Sequence, residues 1–162
     1  MQNNENEIPV GREMQLVAFR VGREEFGVDV KKVEGVISLI DITRMPRAPE
    51  FVEGIINLRG QIVAVVDLAS RLRVQAEERG PATRIVVVES QDLKVGLVVE
   101  SPEVININAD DVLPSPTIAA SDVESSFISG VVKLGDRLLI LLDIDRVLNR
   151  EDRDDIGTFE SS

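Results

Sequence analysis

The stretch FVEGIINLRGQIVAVVDLASRL, residues 51–72, decides how the chain is read. From Ile55 to Leu68 it is apolar except for Asn57, Arg59, Gly60, Gln61 and Asp67. Two apolar runs, IINL and QIVAVVDL, meet at Arg59-Gly60, which is the signature of a β-hairpin closed by a tight turn. Asp67 then stands before LASRLRV as the N-cap of a short helix. A glycine in this turn needs no further account, whereas an arginine does.

The same stretch recurs. Moving residues 51–72 onto 127–148, with no gap, places Phe51 on Phe127, Gly54 on Gly130, Leu58 on Leu134, Asp67 on Asp143 and Leu72 on Leu148. Upstream, a shift near 68 sets EFGVDV beside LKVGLVV and Pro46 on Pro114. The chain is an internal duplication. Each half holds about five short strands, of which the last runs into a helix.

The remaining elements follow the same logic. LVAFRVGREEFGVDV is a hairpin turning at Gly22, Arg23 and Glu24, and TRIVVVESQDLKVGLVVE is another. KKVEGVISLI is a short helix or a strand, with Gly35 weakening the helix. MPRAP and VLPSP are proline loops, VVKL and RLLILLDI a hairpin closed by Gly135-Asp136, and DIDRVLNR a second helix. QAEERGP is the polar linker between the halves. Such short strands and glycine turns indicate an all-β barrel or sandwich. A half of this size is small for an independent core, so two subdomains should share burial, with a groove where they meet. The expected division is a flexible tail over 1–13, a body over 14–150 and a flexible acidic tail over 151–162. Within the body the barrels span about 14–75 and 82–150, and strands are free to cross over.

Composition narrows the function. The 162 residues are 43% hydrophobic but only 3% aromatic, so the core is Val, Ile and Leu. There is no cysteine and no histidine, which removes thiolate nucleophiles, disulfides, the usual general base and the commonest metal ligand. A net charge of −11 argues against nucleic acid and against an anionic membrane surface. The opening residues have no apolar signal-peptide region, and no uncharged run approaches a transmembrane length. These features read as a soluble cytoplasmic protein.

Motifs for chemistry are missing. NINADDV puts Asn106, Asn108 and Asp110 in calcium-loop order, but Asp111 stands where glycine is required and Thr117 where the bidentate glutamate belongs. Asp143 and Asp145 are two residues apart, and the duplication already explains Asp143 as a cap, leaving Asp145 as an exposed carboxylate. The repeat offers a sharper tool. Gly54, Leu58 and Asp67 are matched in both halves and read as structural, whereas Asn57 meets Lys133 and Arg59 meets Gly135. Glycine makes the turn. Arginine, with a planar fork of donors, is the candidate for contact with a protein partner.

LVAFRVGREEFGVDVKKVEGVI, FVEGIINLRGQIVAVVDL and LGDRLLILLDIDRVL resemble the CheW family of bacterial chemotaxis coupling proteins over about residues 14–149. The run with Phe51, Gly54, Asn57, Leu58, Arg59 and Gly60 is the specific part. The resemblance implies two SH3-like five-stranded β-barrel subdomains from the duplication, with short helices and a C-terminal helix. It implies an adaptor without catalysis or cofactor. Such an adaptor bridges the cytoplasmic tips of methyl-accepting chemotaxis receptors to the regulatory domain of the histidine kinase CheA, in arrays at the membrane into which it does not itself insert. Carried over by position, the receptor-binding residues are Val33, Gly54, Asn57, Arg59, Gly96 and Val104, and Ile118 falls at a kinase contact. The chain departs from the family at Gly35, where glutamate is usual and Glu34 is the nearest substitute, and at Ala64, where proline is frequent. A small-ligand or metal-binding β-barrel sensor is the alternative, for which the chain has few suitable side chains.

Overall fold

A computed structural model describes residues 12–114, 125–148 and 156–157. The strands are β1 (Glu13–Val21), β2 (Glu24–Asp29), β3 (Val33–Ser38), β4 (Val52–Leu58), β5 (Gln61–Val66), β6 (Thr83–Ser90), β7 (Leu93–Asn108), β8 (Val112–Leu113), β9 (Ile128–Leu134) and β10 (Arg137–Leu142). Helix α1 (Leu68–Leu72) follows β5 and α2 (Ile144–Val147) follows β10. The expected all-β class with short helices is what forms. KKVEGVISLI resolves into a 3-10 turn followed by β3.

The duplication is visible element by element. β4, β5 and α1 repeat as β9, β10 and α2. Both hairpins shift register at the same place, between Val52 and Gly54 in one and opposite Ile128 and Gly130 in the other. Asp67 caps α1 by accepting from the Ser70 amide at 3.2 Å, and Asp143 caps α2 by accepting from the Asp145 amide at 3.0 Å. In each half the cap's own amide donates to the preceding phenylalanine carbonyl, Phe51 or Phe127, at 2.9 Å. The two repeated glycines are needed for a close approach. A Cβ on Gly54 would lie 2.4 Å from the Thr43 carbonyl oxygen, and one on Gly130 would lie 2.6 Å from Val112 Cγ1.

The ladders run across the polar linker. All ten strands belong to one hydrogen-bonded sheet, ordered β3-β6-β7-β1-β2-β10-β9-β8, with β4 and β5 joined to it where β5 pairs in parallel with β7. β7 makes this possible. Its residues 93–100 pair with β6, and residues 103–108 pair with β1, on either side of Ser101, whose φ is 51°. One strand group is therefore β3, β4, β5, β6 and the start of β7; the other is β1, β2, the end of β7, β8, β9 and β10. The ranges 14–75 and 82–150 thus describe the duplicated halves of the sequence and not the sets of paired strands. β1 and β2, from the first half, pair with β7 and β10, from the second.

Burial explains the unbroken apolar runs. Ile56, Val63, Val65, Ile85 and Val87 fill the first group. Leu16, Ala18, Ile107, Val132, Leu139 and Leu141 fill the second. Their sequence neighbours Val17, Phe19, Ala64, Val66, Val86, Val88, Ile140 and Leu142 point the other way, into the largest cluster, which joins the groups. Strands buried on both faces need no polar alternation. The interior of the junction is accordingly filled with side chains, and each apolar residue moved from water there contributes roughly 1.5–3 kcal/mol. Ile156 also lies in this cluster, fully buried. Its apolar side chain holds part of the stretch 151–162 against the core, so that stretch is not a free acidic tail throughout.

Candidate functional site

Arg59 occupies the first central position of the β4–β5 turn, with φ 54°, followed by Gly60 with φ 85°. Two positive φ values are what a type I′ turn requires. In the repeated turn Gly135 has φ 59° and Asp136 is not in the left-handed region. The position that carries arginine in one half is therefore the one that takes a left-handed glycine in the other. This revises the division of labour read from the sequence. Arg59 is itself part of the turn, held in a conformation that costs an L-residue of this kind roughly 1 kcal/mol. Asn57 supports the turn by accepting from the Gly60 amide at 2.9 Å.

The exposed Arg59 lines a shallow cleft of about 220 Å3 with Glu34, Ile37, Gln61, Val87 and Lys94. Glu34 reaches it through a β-bulge. Val33 pairs with Val88 and Gly35 with Val87, leaving Glu34 as the extra residue. The bulge leaves Glu34 in the same cleft as Gly35, the position where the family resemblance leads one to expect glutamate. Glu34 is ion-paired to Lys94 at 3.3 Å. A hydrogen bond with Glu89, then Lys94, holds the Glu34 carboxyl below its ordinary value, whereas the hydrogen bond with Glu34 and the loss of hydration push Glu89 up.

The other sequence-derived positions separate into two kinds. Gly54 and Gly96 are buried, and a Cβ on Gly96 would lie 2.8 Å from Ile85 Cγ2. Any effect of either on binding must pass through packing. Val33 is half-buried against the junction core, immediately before the Glu34 bulge. Val104 is 60% exposed on the end of β7, in the other strand group and outside the cleft. Among the described residues Asn57 and Arg59 sit on one turn, and Gly54 and Gly96 flank Val65 from the neighbouring strands β4 and β7. Ile118 lies outside the described residues.

Three features escaped the sequence. The first is a pattern in the exposed apolar residues. Val36 and Ile62 lie on the first strand group and Met45 in its β3–β4 loop, and Val104, Leu113 and Leu138 lie on the second. These six correspond pairwise under the same shifts that reveal the duplication, whereas exposed Leu39 and Ile40 are unmatched, falling on buried Ile107 and on Asn108. Aligning the halves for apolar positions on outward-facing strand sites would have found them. The second is Arg71. Its guanidinium carbon stands 5.3 Å from the Phe51 ring centre and 5.2 Å from that of Phe127, and its Nε donates to the Val147 carbonyl at 2.9 Å. The third is Asp145, expected to be exposed. It accepts from Lys32 Nζ at 2.9 Å and from Ser90 Oγ at 2.7 Å, drawing α2 onto β6 and the turn before β3.

Chemistry has little to work with. Asn108 accepts from the Asp110 amide at 2.9 Å, and Asp110 pairs with Arg12. The calcium-loop resemblance is thus a capped 3-10 turn. Among the described residues no group of three or more carboxylates is placed to hold a metal ion, and no helix is long and apolar enough to cross a membrane.

Comparison with known proteins accounts for this geometry. A family model for the CheW-like domain matches residues 15–152. The chain belongs to the CheW family. A chemotaxis protein CheW of Rhizobium meliloti (strain 1021) is 38% identical over 145 residues, covering 89% of this chain and 92% of that protein. A CheW of Thermotoga maritima is 34% identical over 137 residues, 85% of this chain and 89% of that protein. The crystal structure of the scaffolding protein TtCheW from Thermoanaerobacter tengcongensis superposes with a TM-score of 0.79 at 30% identity, covering 93% of this chain and 96% of that one. CheW proteins are adaptors without catalysis, and the expectation of a non-enzyme rests on this membership.

Proposed function

We propose that this chain is the adaptor that couples the cytoplasmic tips of chemoreceptors to the histidine kinase CheA and supports control of the kinase in receptor arrays. It acts in the cytoplasm and reaches the membrane through its partners. The observation that carries this reading is the repeated apolar triplet. A bridging protein needs more than one docking surface, and apolar side chains bounded by charge are what a protein interface requires. Here Val36, Met45 and Ile62 in one half are matched by Val104, Leu113 and Leu138 in the other, and Leu39 and Ile40 add to the first alone. The Arg59 cleft adds a charged element, with an arginine fork suited to carboxylates or carbonyls of a helical receptor tip. In this reading Arg59, Asn57 and Val104 act at the surface, Val33, Gly54 and Gly96 shape it from beneath, and Ile118 adds a kinase contact.

The test is equilibrium binding with purified CheA regulatory domain and a receptor signalling fragment, separately and together. The expected result is binding of both at once. Mutual exclusion of the two partners would refute separate surfaces, and binding of neither would refute the adaptor role.

A further inference from the structure

Arg71 breaks the internal symmetry of the chain at the place where its two strand groups join. The shift that relates the halves pairs Phe51 with Phe127, and the Arg71 guanidinium lies 5.3 Å and 5.2 Å from these two rings. The same shift pairs Arg71 with Val147, and it is the Val147 carbonyl that Arg71 Nε contacts at 2.9 Å. Each phenylalanine is also tied, through its carbonyl, to the cap of its own helix. One side chain thus connects both phenylalanines and both helices. The buried side chains packed around the junction are Val, Ile, Leu, Ala and Phe, and a second directed contact, Asp145 of α2 with Lys32 and Ser90, lies apart from the two rings. The hydrophobic effect is itself non-directional. A cation held between two aromatic faces, with a directed hydrogen bond to a helix carbonyl, fixes an angle.

We infer that Arg71 is a positioning residue, a clamp that sets the orientation of the two strand groups and so keeps the docking surfaces of the adaptor in fixed register. The link to kinase control rests on the adaptor reading given above. A residue that merely adds stability would change both affinities and the folding midpoint together. A clamp changes how binding at one surface is transmitted to the other.

Arg71→Met keeps a long side chain between the rings and removes the cation and the donor; Arg71→Lys keeps the cation without the fork. The chain has no cysteine, so Ser38→Cys on β3 and Lys133→Cys on β9 can carry a spin-label pair, one on each strand group. In the wild-type background the full chain should give one narrow interlabel distance. Arg71→Met should broaden or shift it, with Arg71→Lys between. Affinities for the isolated receptor fragment and kinase regulatory domain should stay within about twofold, while receptor-dependent kinase stimulation falls by at least about fivefold, the lower end of an allosteric coupling. An unchanged distance distribution in both variants overturns the clamp. So does a loss of stimulation that only follows the separate affinities. If Arg71→Met does not fold, Arg71→Lys decides by the same readouts. If the wild-type chain binds neither partner, the adaptor reading fails by itself, and the distance measurement still decides the clamp.

Discussion

Replacing Arg59 by glycine should raise stability and lower receptor coupling, two effects of opposite sign from one substitution. The backbone at residue 59 has φ 54°, and the equivalent Gly135 has φ 59°. For an L-residue the left-handed region costs roughly 1–2 kcal/mol, from which the extra chain entropy of an unfolded glycine subtracts roughly 0.5–1 kcal/mol. The net gain is of the order of 0.5–1 kcal/mol, or about 1–4 °C in melting temperature for a chain of this size. The arginine side chain is exposed at the cleft and contributes nothing to the core, so Arg59→Ala, which keeps the strained φ, should change stability by less than about 1 kcal/mol. Loss of a charge-assisted contact should weaken receptor binding by roughly 1.5–3 kcal/mol in both variants, on the order of tenfold or more. Kinase binding should hold. The assays are denaturation followed by circular dichroism and titration with each partner fragment. An Arg59→Gly variant less stable than Arg59→Ala would refute the strain argument. Parallel losses of both affinities with stability would show that Arg59 braces its own strand group.

Gly54→Ala should destabilise more than Gly130→Ala. The added carbon at residue 54 meets the Thr43 backbone oxygen at 2.4 Å, whereas at residue 130 the backbone contact, with the Leu113 oxygen, is longer at 2.9 Å and the nearest neighbour is a Val112 methyl at 2.6 Å. A loss of about 2–4 kcal/mol against a smaller one is expected in urea denaturation, and equal losses would contradict the geometry. Glu89→Gln should raise the melting temperature at neutral pH. Glu89 has its carboxyl pKa raised by Glu34, so its favourable contribution is present in acid and is lost as the pH rises through that value. Glu34, with its pKa lowered, contributes in the opposite sense, above its unfolded value and lost in acid. Glutamine copies the protonated Glu89 at every pH, so its advantage over wild type should disappear as the solution is taken from about pH 8 to about pH 4. A difference that grew in acid would reverse the assignment.

The sequence by itself determined what local contacts can encode. The hairpins, the two aspartate caps and the repeated glycines are set by residues close along the chain, and the duplication allowed each to be checked against its copy. Asp67 and Asp143 cap equivalent helices for that reason. Arg59 was legible as an oddity in its turn, and its left-handed backbone could be suspected from Gly135, although the strain needed the dihedral itself. What the tertiary structure alone decided is which strands pair across the halves. Runs such as VAVV, IVVV and LILL are buried on both faces, and a strand without polar alternation carries no mark of which partner lies on which side. Hence β1 and β2 could join β7 and β10 with no sign in the local pattern. The same holds for the Glu34 bulge, for Asp145 between Lys32 and Ser90, and for Arg71 between the two phenylalanine rings. Each joins residues distant in the chain, and that proximity exists only once the apolar junction has closed and brought their elements together.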